Sequence, residues 1–338
     1  MKPLVILIVV VTLGTVLVSV GLLLIYCPDL LKLRALYTRQ PFGAEATIEW
    51  PRDAERFRVL QIADTQVGAV VEGCRDVPQT PWPCGVANTT AFVQRLVERT
   101  RPHLVVFTGD MVMHPQKETK AVFDALLGPV RAAGVPFVVV FGNHDVEPCG
   151  QWTYTQTHTY MQTRALLTGT GLVTVTNNGA NALSLWFFDY VYDRGADGYT
   201  AVHEAHVQWF SRRVSSTVGP SLAFAHVPLP EYHDWSPTLG EKYEGVYAPK
   251  RNTGLFDALR AGGVRALSVG HDHVNDYCAA TDDGPTLCYA GGAGYTTYGR
   301  VGWPRRARVF DYYRNGTMVT FKHLDNAEFD AIDPTQLI

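Results

Sequence analysis

Five apolar segments of this sequence each end in a side chain that can bind a hard metal ion. The segments, of which FRVLQIA and HLVVFTG are two, have the length and composition of buried strands. Their terminal side chains are Asp64, Asp110, Asn143, His226 and His271. Any one of these residues could simply close a strand or form a turn. Because open α/β sheets bind ligands beyond the carboxyl ends of their strands, we expect all five to meet at one rim.

Further polar residues adjoin these strand endings. His144 and Asp145 follow Asn143, and His273 lies two residues beyond His271. Carboxylate, amide and imidazole donors suit Mn, Fe, Zn or Mg, whereas a thiolate site would select other metals. The set therefore predicts a site for divalent metal ions with no cysteine among its ligands.

The elements that would position these residues alternate along the chain. Helical patterns separate several of the strand-like segments, and they cover residues 88–100, 117–133, 202–214 and 253–261. Such alternation predicts an α/β domain with its sheet buried and its helices outside. The 338 residues suffice for a large core, and the net charge of −3 without a basic stripe gives no indication of nucleic-acid binding.

The first 27 residues differ from the rest. No charge occurs from Pro3 to Tyr26, a run that is long enough to span a bilayer. We predict a transmembrane signal anchor at residues 1–27, a stalk at 28–52 and a catalytic domain at 53–338. A cleaved signal peptide is the main alternative, although its apolar region is usually shorter, and a buried soluble helix is the other.

The side of the membrane follows from glycosylation and cysteine patterns. Asn88 and Asn315 fit the glycosylation acceptor pattern, although Asn88 could equally cap a helix. Four cysteines form two local pairs that could close short loops as disulfides, namely Cys74 with Cys84 and Cys278 with Cys288. Basic residues just after the apolar run favour the opposite orientation. We predict a single-pass membrane protein whose domain is lumenal or extracellular.

The order of the motifs resembles the calcineurin-like metallophosphoesterase superfamily. Asp64, GD at 109–110, GNHD at 142–145, His226 and GHDH at 270–273 carry the resemblance, which covers about residues 56–323. The stretches CRDVPQTPWPC and LCYAGGAGYTTYG resemble the small purple-acid-phosphatase-like branch of plants and fungi. The resemblance implies a four-layer α-β-β-α sandwich that binds two divalent metal ions.

The resemblance also implies a role for each ligand. Asp110 would bridge the two metal ions. The first ion would also bind Asp64 and His273, and the second would bind Asn143, His226 and His271. Two such ions, about 3.5–4 Å apart, can hold a phosphate and share a hydroxide that attacks phosphorus in line.

The expected activity is hydrolysis of phosphate monoesters, assisted by a histidine. His144 would donate to the phosphoryl oxygens or protonate the leaving group, and Asp145 could orient its ring. A phosphodiesterase that acts on a lipid- or glycan-linked diester is one alternative, and an inactive binding scaffold is another. His233 and Arg300 could contact substrate, although a solvent-facing loop for His233 and a salt bridge for Arg300 are the favoured explanations. The oligomeric state stays open.

Two positions depart from the family pattern. Gln66 stands where many relatives have the histidine of D-x-H, and Met113 stands where purple acid phosphatases proper have a tyrosine. Without that tyrosine we expect no tyrosinate absorption band. We predict that Gln66 binds the first metal weakly through its amide oxygen, which favours Mg or Mn, or that it binds only a water.

Overall fold

The computed structural model describes residues 42–68, 73–77, 85–113, 119–145, 152–190 and 201–338. In chain order, the strands of these residues are β1 (Ala44–Glu49), β2 (Arg56–Ile62), β3 (Leu104–Thr108), β4 (Phe137–Val140), β5 (Leu167–Thr168), β6 (Gly171–Asn177), β7 (Ala180–Phe188), β8 (Ser221–Ala225), β9 (Ala266–Val269), β10 (Cys278–Ala279), β11 (Thr286–Tyr289), β12 (Arg306–Tyr313), β13 (Met318–Leu324) and β14 (Ala331–Gln336). The helices are α1 (Val86–Thr100), α2 (Thr119–Ala132), α3 (Tyr154–Gln162), α4 (Glu204–Val214) and α5 (Leu255–Ala261).

The described strands form two seven-stranded sheets. The first sheet has the order β1-β6-β7-β8-β9-β11-β10, and the second has the order β14-β13-β12-β2-β3-β4-β5. Strands β2, β3 and β4 pair in parallel, as do β7, β8 and β9. Strands β3, β4, β8 and β9 are nearly continuous apolar runs because both of their faces are covered. The predicted α/β class is confirmed, with two sheets.

Three buried clusters hold the layers together. The inner faces of the two sheets meet in one cluster, which includes Val59 and Val106 from the second sheet and Leu185 and Phe224 from the first. Helices α1, α2 and α3 pack on the outer face of the second sheet. Helices α4 and α5 pack on the outer face of the first. Helices α1, α2 and α4 each bury one apolar stripe, as their sequence periodicity predicts.

A buried ion cluster ties the edge of the second sheet to the segment between β9 and β10. Lys322 of β13 lies 2.7 Å from Asp276 and 2.6 Å from Asp333 of β14, and Arg306 of β12 also pairs with Asp276. The side chains of Lys322 and Asp276 are fully buried. The backbone carbonyl of Asp276 accepts a hydrogen bond from the Arg308 guanidinium at 2.7 Å. Three strands thus hold the segment that begins at His271.

The folded region begins earlier than the predicted boundary at residue 53. Strand β1 lies inside the range predicted as a stalk, 28–52, and pairs in parallel with β6. Its side chains alternate between exposed and half-buried positions, so the strand lacks the apolar run that marks the central strands. The predicted transmembrane segment, residues 1–27, lies outside the described residues. Among those residues, no helix combines the length and the apolar character that crossing a bilayer requires.

Replacing Asp276 by alanine tests the ion cluster. Asp276→Ala leaves the Lys322 and Arg306 cations buried without their shared partner. We expect the free energy of unfolding to fall by about 3–5 kcal/mol, measured by urea denaturation. Asp283→Ala is the control, because the exposed Asp283 pairs with Arg260 only at 3.5 Å and should lose less than about 1 kcal/mol. Equal losses in the two variants would contradict a stabilising role for the cluster.

Candidate metal centre

The five predicted strand endings come together where the carboxyl ends of the two sheets meet. Asp64, Asp110 and Asn143 follow β2, β3 and β4 of the second sheet, and His226 and His271 follow β8 and β9 of the first. We call this end of the domain the rim. A buried hydrogen-bond network joins the two sheets just behind it: Gln61 donates to Thr108 at 3.0 Å and accepts from Ser268 at 2.6 Å.

Two groups of buried side chains at the rim are arranged to hold metal ions. Asp110, His226 and His271 form one group, and Asp64, Asp110 and His273 form the other. Within each group, one ligand atom from every residue lies within 4.8 Å of the others. Asp110 belongs to both groups, so its carboxylate is placed to bridge two ions.

Two of the histidines are held with one ring nitrogen facing the ligand groups. The Nδ1 of His226 lies 2.8 Å from the carbonyl of Thr108, and the Nδ1 of His273 lies 3.1 Å from the carbonyl of Tyr298. A carbonyl only accepts, so each Nδ1 carries the proton and donates it. Each Nε2 therefore faces the ligand groups, 3.3 Å from Asp110 for His226 and 3.4 Å from Asp64 for His273.

Asn143 joins the group around His226. Its Oδ1 lies 3.2 Å from the Nε2 of His226, the atom that also faces Asp110. The backbone N–H of His271 donates to both oxygens of Asp64, at 3.0 and 3.1 Å. The backbone of one strand ending thus orients the carboxylate of another across the two sheets.

His144 occupies the open side of the centre. Its side chain is 29% exposed, whereas that of Asp110 is 1% exposed. The His144 backbone N–H donates to Asp110 Oδ1 at 2.8 Å, and its Nε2 lies 3.9 Å from Asp110 Oδ2. An imidazole in this position lies beside the bridging carboxylate and can reach a ligand that enters from solvent.

Asp145 joins two of the strand-end loops. Its Oδ1 accepts from the backbone N–H groups of Met111 and Val112 at 2.8 and 3.0 Å, and its Oδ2 accepts from Gly142 at 2.9 Å. These three bonds fix the loop after β4 against the loop after β3. They give Asp145 a structural task, and its predicted role in orienting the His144 ring stays a prediction.

Gln66 contacts the bridging carboxylate with the nitrogen end of its amide. Its Nε2 donates to Asp110 Oδ2 at 2.9 Å, and its Oε1 accepts a hydrogen bond from the Thr297 hydroxyl. The O and N of the amide are assigned from this network. In this arrangement the oxygen, which is the metal-binding end, faces Thr297. Gln66 therefore orients Asp110, and its predicted bond to a metal ion stays a prediction.

The backbone at the rim adopts conformations that L-residues rarely take. Asp64, Gln66, Asp110 and His271 all have positive φ angles, between 35° and 76°. Close approach also explains the glycine of the GNHD motif. A Cβ on Gly142 would collide with Asp110 Oδ1 and would lie 2.7 Å from His226 Nε2. Only a residue without a side chain lets these loops approach closely enough to share ligands.

Burial and neighbouring charges set the protonation states of the ligands. Burial lowers the pKa of His271 well below its usual value, so its ring is neutral. Burial would also lower the pKa of His226, but the Asp110 and Asp64 carboxylates raise it to about 10. Burial raises the pKa of Asp110, but the His226 and His144 rings outweigh burial and bring that pKa well below its usual range. The carboxylate is therefore ionised.

This donor set fits a pair of divalent metal ions. Each group offers three buried donors of the carboxylate and imidazole types, with the amide oxygen of Asn143 beside one group. An ionised Asp110 and a neutral His271 are in the states that metal binding requires, and a bound cation would displace the proton that Asp110 and Asp64 stabilise on His226. The types of donor suit Mn, Fe, Zn and Mg.

Residues of the glycine-rich segment after β11 support the centre, a role that the sequence analysis missed. The Thr297 hydroxyl lies 3.1 Å from His273 Nδ1 and also bonds to Gln66. The Tyr298 ring stacks on His273, with ring centroids 4.0 Å apart, and its hydroxyl donates to Glu244 at 3.0 Å. The local sequence GAGYTTYG gives no signal of this role, because the contacts join segments far apart in the chain.

The remaining predicted site residues lie apart from the two ligand groups. His233 is exposed on a short 3-10 turn after β8, and Arg300 is exposed with its guanidinium 4.2 Å from the Tyr243 ring centroid. Neither belongs to a ligand group. Asn88 accepts from the Gly85 N–H at 2.9 Å, as an internal helix cap does, and Asn315 is exposed in the turn between β12 and β13.

The structure contains a disulfide between Cys278 and Cys288, which face each other on β10 and β11. Cys74 is also disulfide-bonded. Cys84 lies outside the described residues. The disulfide between β10 and β11 closes the edge of the first sheet.

Comparisons with known proteins agree with this geometry. A family model described as calcineurin-like phosphoesterase matches residues 57–275. A relative from Arabidopsis thaliana, named "Probable inactive purple acid phosphatase 29", is 31% identical and aligns over 82% of this chain and 84% of its own length. The Saccharomyces cerevisiae protein named "Phosphatase DCR2" is 29% identical over 83% of this chain, which spans 56% of that relative.

A solved structure shows the same fold. A dimetal phosphatase from Danio rerio superposes with a TM-score of 0.56 at 13% identity, covering 83% of this chain and 98% of that one. At this identity the likeness speaks for the fold alone. Because the family model spans more than half of the chain and the plant relative aligns over most of it, the chain belongs to the calcineurin-like phosphoesterase family.

Proposed function

We propose that this protein hydrolyses phosphate monoesters with the help of two divalent metal ions. The observation that carries the proposal is the sharing of Asp110 between two buried ligand groups. Two bound ions supply positive charge that holds a phosphate, and they lower the pKa of a water that can attack phosphorus. The protein's own residues then have to orient the ligands, bind the phosphoryl group and deliver a proton.

The contacts of each side chain at the centre indicate which of these roles it has. Asp110 is held by the His144 backbone N–H on one oxygen and by Gln66 on the other, so its orientation is set before metal arrives. The Nε2 atoms of His226 and His273 point at the centre because their Nδ1 atoms are anchored to carbonyls. His144 is the most exposed of the histidines at the centre, which suits it to donate to a phosphoryl oxygen or to the leaving group.

Two other functions remain candidates. A phosphodiesterase is one, because the same pair of ions can hold a diester. A binding scaffold without turnover is the other, since the name of the Arabidopsis relative includes the word inactive. Against the scaffold stands the presence of every expected ligand other than a histidine at residue 66, with His144 beside them. Against it also stand the positive φ angles of four neighbouring rim residues, since uncommon backbone conformations cluster at functional sites.

We propose also that the domain is lumenal or extracellular and is anchored by residues 1–27. The uncharged run from Pro3 to Tyr26 supports an anchor. The disulfides at Cys278–Cys288 and at Cys74 support an oxidising compartment. Protease treatment of sealed vesicles measures the side: a domain that is digested without detergent in inside-out vesicles would contradict the proposal.

Comparing two model substrates tests the reaction class. The full-length chain, supplied with Mn or Zn, should hydrolyse an aryl monophosphate faster than a bis-aryl phosphate diester, because a monoester dianion has the larger attraction to two cations. Faster turnover of the diester would favour the phosphodiesterase. Two bound metals per chain without hydrolysis of either substrate would favour the scaffold.

Replacing His144 separates catalysis from metal binding. His144→Ala should lower turnover of the aryl monophosphate by about 10²–10⁴-fold, because the proton donor is lost. The metal content, measured by mass spectrometry, should stay at the wild-type value. His233→Ala is the control, since His233 is exposed and outside the ligand groups. Loss of metal from His144→Ala would instead make this histidine a ligand.

Replacing Gln66 tests what the amide does. Gln66→His should raise the affinity for the ion at Asp64 and His273, because imidazole is the stronger donor to Zn and Fe. Competition with a metal chelator measures that affinity. Thr297→Val is the comparison, since it leaves residue 66 unchanged and removes the hydroxyl that bonds to Gln66 Oε1 and contacts His273 Nδ1. If Gln66→His binds zinc no more tightly than wild type, residue 66 does not reach the ion.

A further inference from the structure

An exposed group of aromatic and aliphatic side chains lies beside the metal centre. It consists of Tyr243, Tyr247, Arg300, Val301 and Trp303, and we call it the rim patch. The Arg300 guanidinium lies 4.2 Å from the centroid of the Tyr243 ring, and the Tyr243 and Trp303 rings are 5.7 Å apart. The side chains of Arg300, Tyr243 and Trp303 thus pack against one another, and each of them is exposed or half-buried.

Backbone bonds place the rim patch next to the ligands of one metal ion. The Tyr243 N–H donates to the carbonyl of Val274 at 3.2 Å, directly after His273. The Tyr247 N–H donates to Asp272, between His271 and His273, at 3.2 Å. The patch therefore lies at the rim.

A turn presents a valine at the outermost point of the patch. The Trp303 N–H donates to the Arg300 carbonyl at 3.0 Å, which closes a four-residue turn with Val301 and Gly302 at its apex. Val301 is 67% exposed, and Gly302 has a φ of 78°. Turn apices usually carry polar residues. An exposed valine flanked by stacked Arg, Tyr and Trp has the composition of a surface that enters the interfacial region of a bilayer.

The direction of β1 independently brings the start of the domain to the same end. β1 is parallel to β6, β6 is antiparallel to β7, and β7 is parallel to β8, whose carboxyl end carries His226. β1 therefore runs away from the rim, and its first residue lies at the rim. Gly43 confirms this placement, since its N–H donates at 2.8 Å to Thr170, whose hydroxyl accepts from Asp189 after β7.

The distance to the apolar N-terminal run limits how the domain can be oriented. Residues 28–41 can span at most about 50 Å when fully extended. A domain of this size is itself about 50 Å across. An orientation with the rim turned away from the membrane would require the whole linker to run extended along the domain. An orientation with the rim toward the membrane requires no such extension.

We infer that the rim faces the bilayer that holds residues 1–27, with the rim patch resting in the headgroup region. The inference rests on the proposed phosphoesterase function and names its substrate class: phosphate esters carried by membrane lipids. Such a substrate would reach the metal centre along the bilayer surface, between the rim patch and the first residues of β1. Asn315, the predicted glycosylation acceptor, follows the carboxyl end of β12. Because β12 is antiparallel to β2, Asn315 lies at the end of the domain opposite the rim.

Hydroxyl-radical footprinting tests the orientation without using activity. The full-length chain is reconstituted into phosphatidylcholine vesicles that contain phosphatidic acid. Val218 is the internal control: it is 69% exposed, like Val301, but it lies just before the amino end of β8, away from the rim. Bilayer contact predicts that Val301 is oxidised several-fold more slowly than Val218. Equal oxidation rates overturn the inference, and protection that disappears at low protein density overturns it in favour of a second copy of the chain.

An activity measurement on the same vesicles tests the substrate class. Val301→Asp should lower hydrolysis of the vesicle-borne phosphatidic acid roughly tenfold, because a carboxylate opposes insertion of the turn. Hydrolysis of a soluble aryl monophosphate should not change. Val218→Asp should change neither rate, and an equal effect of the two variants overturns the inference. If the wild type hydrolyses neither substrate, the proposed function fails, and footprinting alone decides the orientation.

Discussion

The Asp110 carboxylate is the constraint on which the rest of the site depends. It belongs to both ligand groups, and four contacts set its orientation: those with the His144 N–H, the Gln66 amide, and the His226 and His144 rings. Its backbone has a φ of 50°, and the facing residue is Gly142, where any Cβ would collide with it. In the GD and GNHD motifs, the glycines therefore allow close packing and the polar residues supply the ligands.

Holding that carboxylate requires two sheets whose carboxyl ends meet. The Gln61 network joins Thr108 of β3 to Ser268 of β9 just behind the ligands, so the strands that carry Asp110 and His271 cannot slide past each other without leaving buried polar groups unpaired. On the far side of His273, the ion cluster at Asp276 ties the same segment to β12, β13 and β14. Stability and ligand geometry therefore depend on the same contacts.

The sequence predicted those parts of the protein that have a distinctive local residue pattern. The central strands are apolar runs, and their polar endings mark the rim, so the α/β class and the meeting of the five ligand-bearing endings could both be inferred. Strand β1 and helix α3 were missed because one is a half-exposed edge strand and the other has a weak apolar stripe. The contacts of Asp145 and Thr297 join segments far apart in the chain, and nothing in the local pattern near either residue specifies such partners.

Gln66 shows why a ligand motif does not by itself determine a metal site. An amide can bind a cation only through its oxygen, whereas here the nitrogen end faces Asp110 and the oxygen is held by Thr297. Donation to Asp110 Oδ2 withdraws some negative charge from the bridge, so both ions would be held by a slightly weaker shared donor. The same bond fixes the carboxylate while no ion is bound. An imidazole at residue 66 would reverse this balance, adding a ligand to one ion and removing the group that now orients the bridge for both.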